Sequence, residues 1–277
     1  MLILKNIEEF NLHDTVTCGQ IFRYFEELDN SYTIILLDRV INVRYDNKTL
    51  YVDSNNYSNL EEIVLKYFDL NRDYKQLNEI LLKKDKDIKQ VIDFCYGLKM
   101  INSYPFETII SYIISANNSV PSIRKSVDMI SKKYGKKVEF RNKEYYLFPT
   151  AEELKEVPLE FYRECKVGFR DKYIYNMVKL INEDSTYLEN LNKKETLDAF
   201  EILLKEKGIG PKVASCILLF AYQKLDVFPV DTWVKKIMLD KYNIKGEANI
   251  RKRAKEIYGD YSGIAIQYMF HYSRNKK

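Results

Sequence analysis

The hydrophobic pattern changes period once, near Ser58, and that change restricts the chain to a sheet followed by helices. Upstream lie short segments rich in β-branched and aromatic residues: Ile21 to Phe25, Tyr32 to Leu37, Val40 to Tyr45 and Thr49 to Val52. Turn formers such as Asp29-Asn30-Ser31 and Asp46-Asn47-Lys48 separate them, which predicts an antiparallel sheet. From Ser58 onward the apolar residues fall at helical spacing, first Leu60, Ile63, Val64 and Tyr67 and then most later segments. The expected fold is therefore α+β, an N-terminal antiparallel sheet packed on a mainly helical core. With 277 residues, 46% of them hydrophobic, the chain can bury such a core. No repeat, low-complexity tract or linker interrupts it, so a β region over 1–85 and a helical region over 86–277 are expected to pack as one unit.

Within the helical region, Pro105 to Ala116 opens with proline and is apolar on nearly every side, which predicts a central buried helix. It ends at Asn117-Asn118-Ser119, residues that can leave one helix and cap the next. A hairpin is expected around Glu139 to Leu147, and Thr150 with Glu153 forms a capping-box pattern that predicts another helix start. Further helices are expected near Phe169 to Ile181, Glu195 to Glu206, Pro211 to Gln223 and Thr232 to Tyr242.

Cysteines at 18, 95, 165 and 216 are 77, 70 and 51 residues apart, a spacing without any metal knuckle or iron-sulfur cluster. Only His13 and His271 could add imidazole ligands, so no metal is expected. The first residues, MLILKNIEEF, carry no export signal and no apolar run is long enough to span a bilayer. Four reduced thiols in an intracellular protein are expected, in the cytoplasm or at a prokaryotic nucleoid. From Glu201 onward 15 Lys and Arg face 8 Asp and Glu, a balance of +7, which against +4 overall leaves −3 for residues 1–200. A basic last quarter suits a face that meets phosphates, and it equally suits a solvated lysine-rich surface.

The stretch from Leu203 to Asp231 carries the chemistry. Gly208-Ile209-Gly210 lies between two apolar-faced helices, where two glycines permit a tight turn and leave backbone amides open to a phosphate. The same residues would also serve as a plain turn. Lys212 begins the next helix, where the helix dipole and neighbouring basic residues disfavour its charged form and favour a nucleophilic amine. Beyond that helix, Asp231 in Pro229-Val230-Asp231-Thr232 has the position of an N-cap, fixed in direction by the amides it accepts from. One helix and a return loop would bring the two groups together.

These residues resemble the helix-hairpin-helix/Gly-Pro-Asp superfamily of DNA glycosylases, and within it the 8-oxoguanine DNA glycosylases, over nearly the whole chain. Two runs carry the likeness most strongly: Gly208-Ile209-Gly210-Pro211-Lys212-Val213-Ala214-Ser215-Cys216 and Pro229-Val230-Asp231. The resemblance implies Lys212 as nucleophile, Asp231 as supporting carboxylate, a hairpin at 207–212 whose Gly208 and Gly210 meet DNA, and Cys216 in the base pocket. Cys18-Gly19-Gln20-Ile21-Phe22-Arg23 is similar to the family run in which a glycine carbonyl accepts the N7 proton of the oxidised purine, here Gly19. Ser115-Ala116-Asn117-Asn118-Ser119 resembles the corner that puts Asn117 in the space vacated by the flipped nucleotide. Gly168-Phe169-Arg170-Asp171-Lys172-Tyr173 resembles the segment that supplies a wedge, Phe169, and a reader of the orphaned base, Arg170. Tyr261-Ser262-Gly263-Ile264-Ala265 leads to Phe270, which would stack on the extruded base.

The pattern departs at three places. Ile266 aligns with the glutamine that reads the Watson-Crick edge, with Gln267 beside it as the candidate for that contact. Ser122 aligns with an arginine that reads the opposite cytosine, which implies relaxed discrimination there. Trp233 stands where a histidine phosphate contact is expected. The implied activity is excision of 8-oxoguanine from duplex DNA in base excision repair, by a monomer without cofactor or membrane, followed by strand cleavage as an AP lyase. Two rival readings are a related lyase-type glycosylase for oxidised pyrimidines, expected if Gly19 lies outside the pocket, and a non-catalytic DNA-binding module.

Overall fold

The computed structural model describes residues 1–276 of the chain. It begins with strand β1 (Leu2–Leu4) and helix α1 (Leu12–Thr17), followed by β2 (Tyr24–Glu26), β3 (Tyr32–Ile35), β4 (Val40–Asp46) and β5 (Thr49–Ser54). The five strands form one antiparallel sheet in the order β1-β5-β4-β3-β2. Asp46 pairs with Thr49 across a two-residue turn in which Asn47 and Lys48 both have positive φ, the turn geometry that matches strand twist.

The helices follow as α2 (Leu60–Tyr67), α3 (Tyr74–Lys84), α4 (Lys89–Phe94), α5 (Pro105–Ser115) and α6 (Val120–Tyr134). A hairpin of β6 (Lys137–Phe140) and β7 (Lys143–Tyr146) intervenes. The remainder is α7 (Leu159–Glu164), α8 (Asp171–Glu183), α9 (Tyr187–Lys193), α10 (Thr196–Leu204), α11 (Pro211–Tyr222), α12 (Thr232–Tyr242), α13 (Glu247–Tyr258) and α14 (Ser262–Asn275). No helix among the described residues is long and apolar enough to cross a membrane.

Two hydrophobic clusters organise the chain. In one, Ile34, Ile41, Val43, Leu50 and Val52 of the sheet pack on Leu12 and Val16 of α1 and on Leu60 and Val64 of α2. The larger one centres on α5 and α11, where Ile109, Ile110, Ile113, Ile217 and Leu218 are wholly buried. Tyr74, Leu77 and Leu81 of α3 belong to this larger cluster, so packing joins α3 to the helical part although it precedes residue 86. The opposite face of the sheet is covered by the β6–β7 hairpin through Ile35, Val40, Val138, Phe140, Tyr145 and Leu147.

Three local expectations are corrected. Strand β1 was hidden from the sequence because three residues are too few to display an alternation. The segment from Ile21 contributes only Tyr24–Glu26 to the sheet, because the Gln20 side chain pins the chain before it. Gln20 Nε2 donates to Lys99 O (2.8 Å) and its Oε1 accepts from Ile101 N (2.9 Å). The Thr150–Glu153 capping box forms, with Thr150 N donating to Glu153 Oε2 at 2.7 Å and Glu153 N to Thr150 Oγ1 at 3.2 Å. It opens a series of turns instead of a helix, because Pro158 disfavours helical backbone at Val157 and α7 starts only at Leu159.

Candidate active site

The turn into α11 is built by its glycines. Gly208 has φ +93°, and a Cβ there would stand 2.5 Å from the Tyr173 ring, so both backbone and packing demand glycine. Gly210 caps α11 with φ −91° and ψ 176°, and a Cβ on it would meet nothing within 4 Å. Its bareness serves no internal packing; it leaves room for something to approach the helix amides. Gly208→Ala is therefore expected to cost about 2–5 kcal/mol of stability from strain and overpacking. Gly210→Ala should leave thermal unfolding nearly unchanged while weakening duplex binding, a contrast that melting curves and fluorescence anisotropy would reveal.

Lys212 follows Pro211 in the first turn of α11, and its Nζ lies 5.2 Å from the centre of the Tyr112 ring. Cys216, one turn further along the same face, is buried beside it. Burial pushes the Cys216 thiol up even though Lys212 draws it down. Asp231 caps α12, its carboxylate accepting from Val234 N at 2.8 Å. Asp85 holds α12 and α13 against α3, accepting from Tyr242 at 2.5 Å and Tyr258 at 2.7 Å. The carboxylate of Asp231 thus projects from an anchored helix.

A cavity of about 70 Å³ is lined by Lys212, Cys216 and Asp231 together with Gly19, Gln267 and Phe270. Both Ile266 and Gln267 are in its wall. The Gln267 amide donates to Cys18 O at 3.2 Å and so joins α14 to the Gly19 loop. His271 reinforces that joint, its Nε2 3.2 Å from Asp14 Oδ1 of α1. Phe270 leans on Gly19, whose φ of +89° turns the loop and requires glycine; a Cβ there would only touch the ring, at 3.7 Å.

Tyr112 is the residue the sequence reading missed. Its hydroxyl donates to the carbonyls of Gly19 (3.2 Å) and Gln20 (3.3 Å), its ring faces Lys212, and Phe220 stacks on it with centroids 5.6 Å apart. Burial raises its phenol far above the ordinary value, so it remains a donor. Inside an evenly apolar helix, nothing marks one tyrosine as different from the core around it.

The remaining candidates lie outside the cavity. Asn117 is exposed in the left-handed region (φ 51°), Phe169 is 63% exposed, and Trp233 is 46% exposed beside Asp231. Arg170, expected to read the orphaned base, is turned inward in this DNA-free structure. It is buried, and its guanidinium donates to the carbonyls of Ala116 (3.0 Å), Asn117 (3.1 Å) and Val167 (2.9 Å). The cause is the C-terminus of α5, whose unpaired carbonyls and partial negative charge attract a cation. Arg170 therefore braces the Asn117 corner in the unbound protein.

A glycine hairpin opening a helix with a lysine in its first turn, and an aspartate N-cap lining the same cavity, define a helix-hairpin-helix DNA glycosylase. Residues 2–109 match the family described as 8-oxoguanine DNA glycosylase, N-terminal domain. The chain is 30% identical over 240 residues to the probable N-glycosylase/DNA lyase of Methanothermobacter thermautotrophicus, covering 78% of this chain and 75% of the relative. To the N-glycosylase/DNA lyase of Saccharomyces cerevisiae it is 29% identical over 287 residues, with 94% and 75% covered. It is also similar to the crystal structure of Clostridium acetobutylicum 8-oxoguanine glycosylase/lyase in complex with dsDNA containing cytosine opposite 8-oxoG. There the TM-score is 0.94 at 38% identity, with 98% of this chain and 94% of that one covered. The chain belongs to the 8-oxoguanine DNA glycosylase family.

Proposed function

We propose that this protein is a bifunctional DNA glycosylase and AP lyase that excises 8-oxoguanine from duplex DNA in base excision repair. The observation that carries the reading is the convergence of Gly19, Lys212 and Asp231 on one cavity. A carbonyl there would accept the N7 proton that oxidation adds to guanine, and would oppose the bare N7 lone pair of the normal base. That contact favours an oxidised purine over an oxidised pyrimidine.

Reaction requires the nucleotide to leave the stack, at a cost of a few kcal/mol. Phe169 would fill the gap as a wedge, Asn117 would occupy the vacated space, and Gly208, Gly210 and Trp233 would meet the backbone. The Lys212 amine, once free of its proton, attacks C1′ with its lone pair as the N-glycosidic bond breaks, and the base departs with the bonding electrons. Asp231 stabilises the positive charge that develops on the sugar. Loss of the ring oxygen's bond to C1′ leaves a protonated Schiff base, which acidifies the C2′ proton. Removal of that proton expels the 3′ phosphate and nicks the strand. The lysine supplies the nucleophile, so no cofactor enters. A monomer acting at the nucleoid or in the cytoplasm fits a partner that is one duplex.

The test is sodium borohydride trapping on labelled duplexes with 8-oxoguanine opposite each of the four bases, beside duplexes with an oxidised pyrimidine. A covalent adduct and a nick at 8-oxoguanine are expected. Neither product at 8-oxoguanine, or both only at the pyrimidine lesion, would overturn the assignment.

A further inference from the structure

We propose that Lys125 and Lys166 together form a seat for a backbone phosphate of the DNA strand opposite the lesion. This rests on the reading of the protein as a duplex glycosylase with Phe169 as its wedge, and adds a contact for the other strand. Lys125 lies on α6, one turn beyond Ser122 and on the same face, so the surface that starts beside the orphaned base continues to this lysine. Lys166 sits in the loop before Gly168-Phe169-Arg170. Ser126 Oγ donates to Lys166 O at 3.2 Å, and Lys166 has φ 59°, which turns it out of the chain's path against α6. The next residue, Val167, is tied through its carbonyl to Arg170, the brace of the Asn117 corner.

The fold thus presents two exposed lysines on adjoining segments, Lys166 three residues before the wedge and Lys125 next to the Ser126 that bonds the Lys166 carbonyl. Their mutual repulsion draws Lys166 below the ordinary lysine value. The nearby carboxylates are committed elsewhere: Asp128 to Lys132 (2.8 Å), Glu164 to Lys133 (3.2 Å) and Asp171 to Arg163 (2.5 Å). Neither Lys125 nor Lys166 has an ion-pair partner among the described residues. Two unneutralised lysines on adjoining segments are complementary to an anionic oxygen cluster, and a phosphodiester is the anion a DNA glycosylase brings to this surface. On the proposed reading Lys212 acts on the lesion strand, so the strand on the far side of the wedge would be the complementary one. With Ser122 lacking a base-reading fork, this strand is held by charge and not by sequence.

Binding of the full-length protein to duplexes carrying an uncleavable abasic analogue opposite each base, as a function of salt, tests the assignment. K125Q/K166Q is expected to weaken binding about fivefold near physiological salt, equally for all four opposite bases. It should also lower the slope of log K against log salt by about 1. Single-turnover excision at saturating enzyme should be unchanged. Neutral methylphosphonate linkages beside the orphaned position should reproduce the loss in wild type and add nothing in K125Q/K166Q. The same linkages in the lesion strand should add fully to the double variant. An unchanged salt slope, or non-additivity confined to the lesion strand, would overturn the seat. Failure of the glycosylase reading would be distinct, since wild type would then neither cleave nor be trapped.

Discussion

Lys212→Gln is expected to abolish borohydride trapping and to slow single-turnover excision of 8-oxoguanine by about four orders of magnitude or more. Glutamine keeps most of the side chain's length and can donate hydrogen bonds, but its amide nitrogen cannot form an imine. The residue stands half-exposed in the first turn of α11, so stability should stay within about 0.5 kcal/mol of wild type. Binding to an abasic analogue should remain within a few-fold. Persistent trapping in this variant would show that another amine performs the attack, and the mechanism argued above would fall.

Asp231→Asn is expected to lower the excision rate by about 10²–10³ while leaving the melting temperature nearly unchanged. The separation is possible because Asp231 has two tasks. As the N-cap of α12 it accepts a hydrogen bond from Val234 N, and asparagine caps as well as aspartate. As a carboxylate lining the same cavity as Lys212 it supplies a charge that asparagine lacks. Asp231→Ala should lose the rate and also about 1 kcal/mol of stability with the cap. Rates and melting curves for both variants decide the matter: a D231N enzyme with wild-type turnover would reduce Asp231 to a structural cap.

Much of the fold was legible because its signals are local. The change of period at Ser58, proline opening α5 and α11, and the Asn47-Lys48 turn each depend on a few neighbouring residues. The Asp231 cap could be read for the same reason, since cap and amide are three residues apart. Where local signals were weak, the reading shifted: β1 was too short to alternate, and the Thr150 box led only to turns because Pro158 cut the helix off.

The site was legible in part, by family likeness more than by periodicity. Lys212 and Asp231 could be singled out from two runs close together in sequence, yet nothing in those runs says what faces them. Tyr112 meets Gly19 across 93 residues, and Gln267 meets Cys18 across 249. A buried tyrosine and a buried glutamine look like any others until packing brings their polar ends to a loop. Arg170 shows the same limit: the resemblance named it a reader of the orphaned base, and only the structure shows it bonded to the carbonyls at the end of α5. The sequence by itself determined the order of sheet and helices, the turn and the cap, because backbone sterics and short-range hydrogen bonds set them. Only the tertiary structure decided which side chains complete the cavity, because that depends on contacts between segments far apart in the chain.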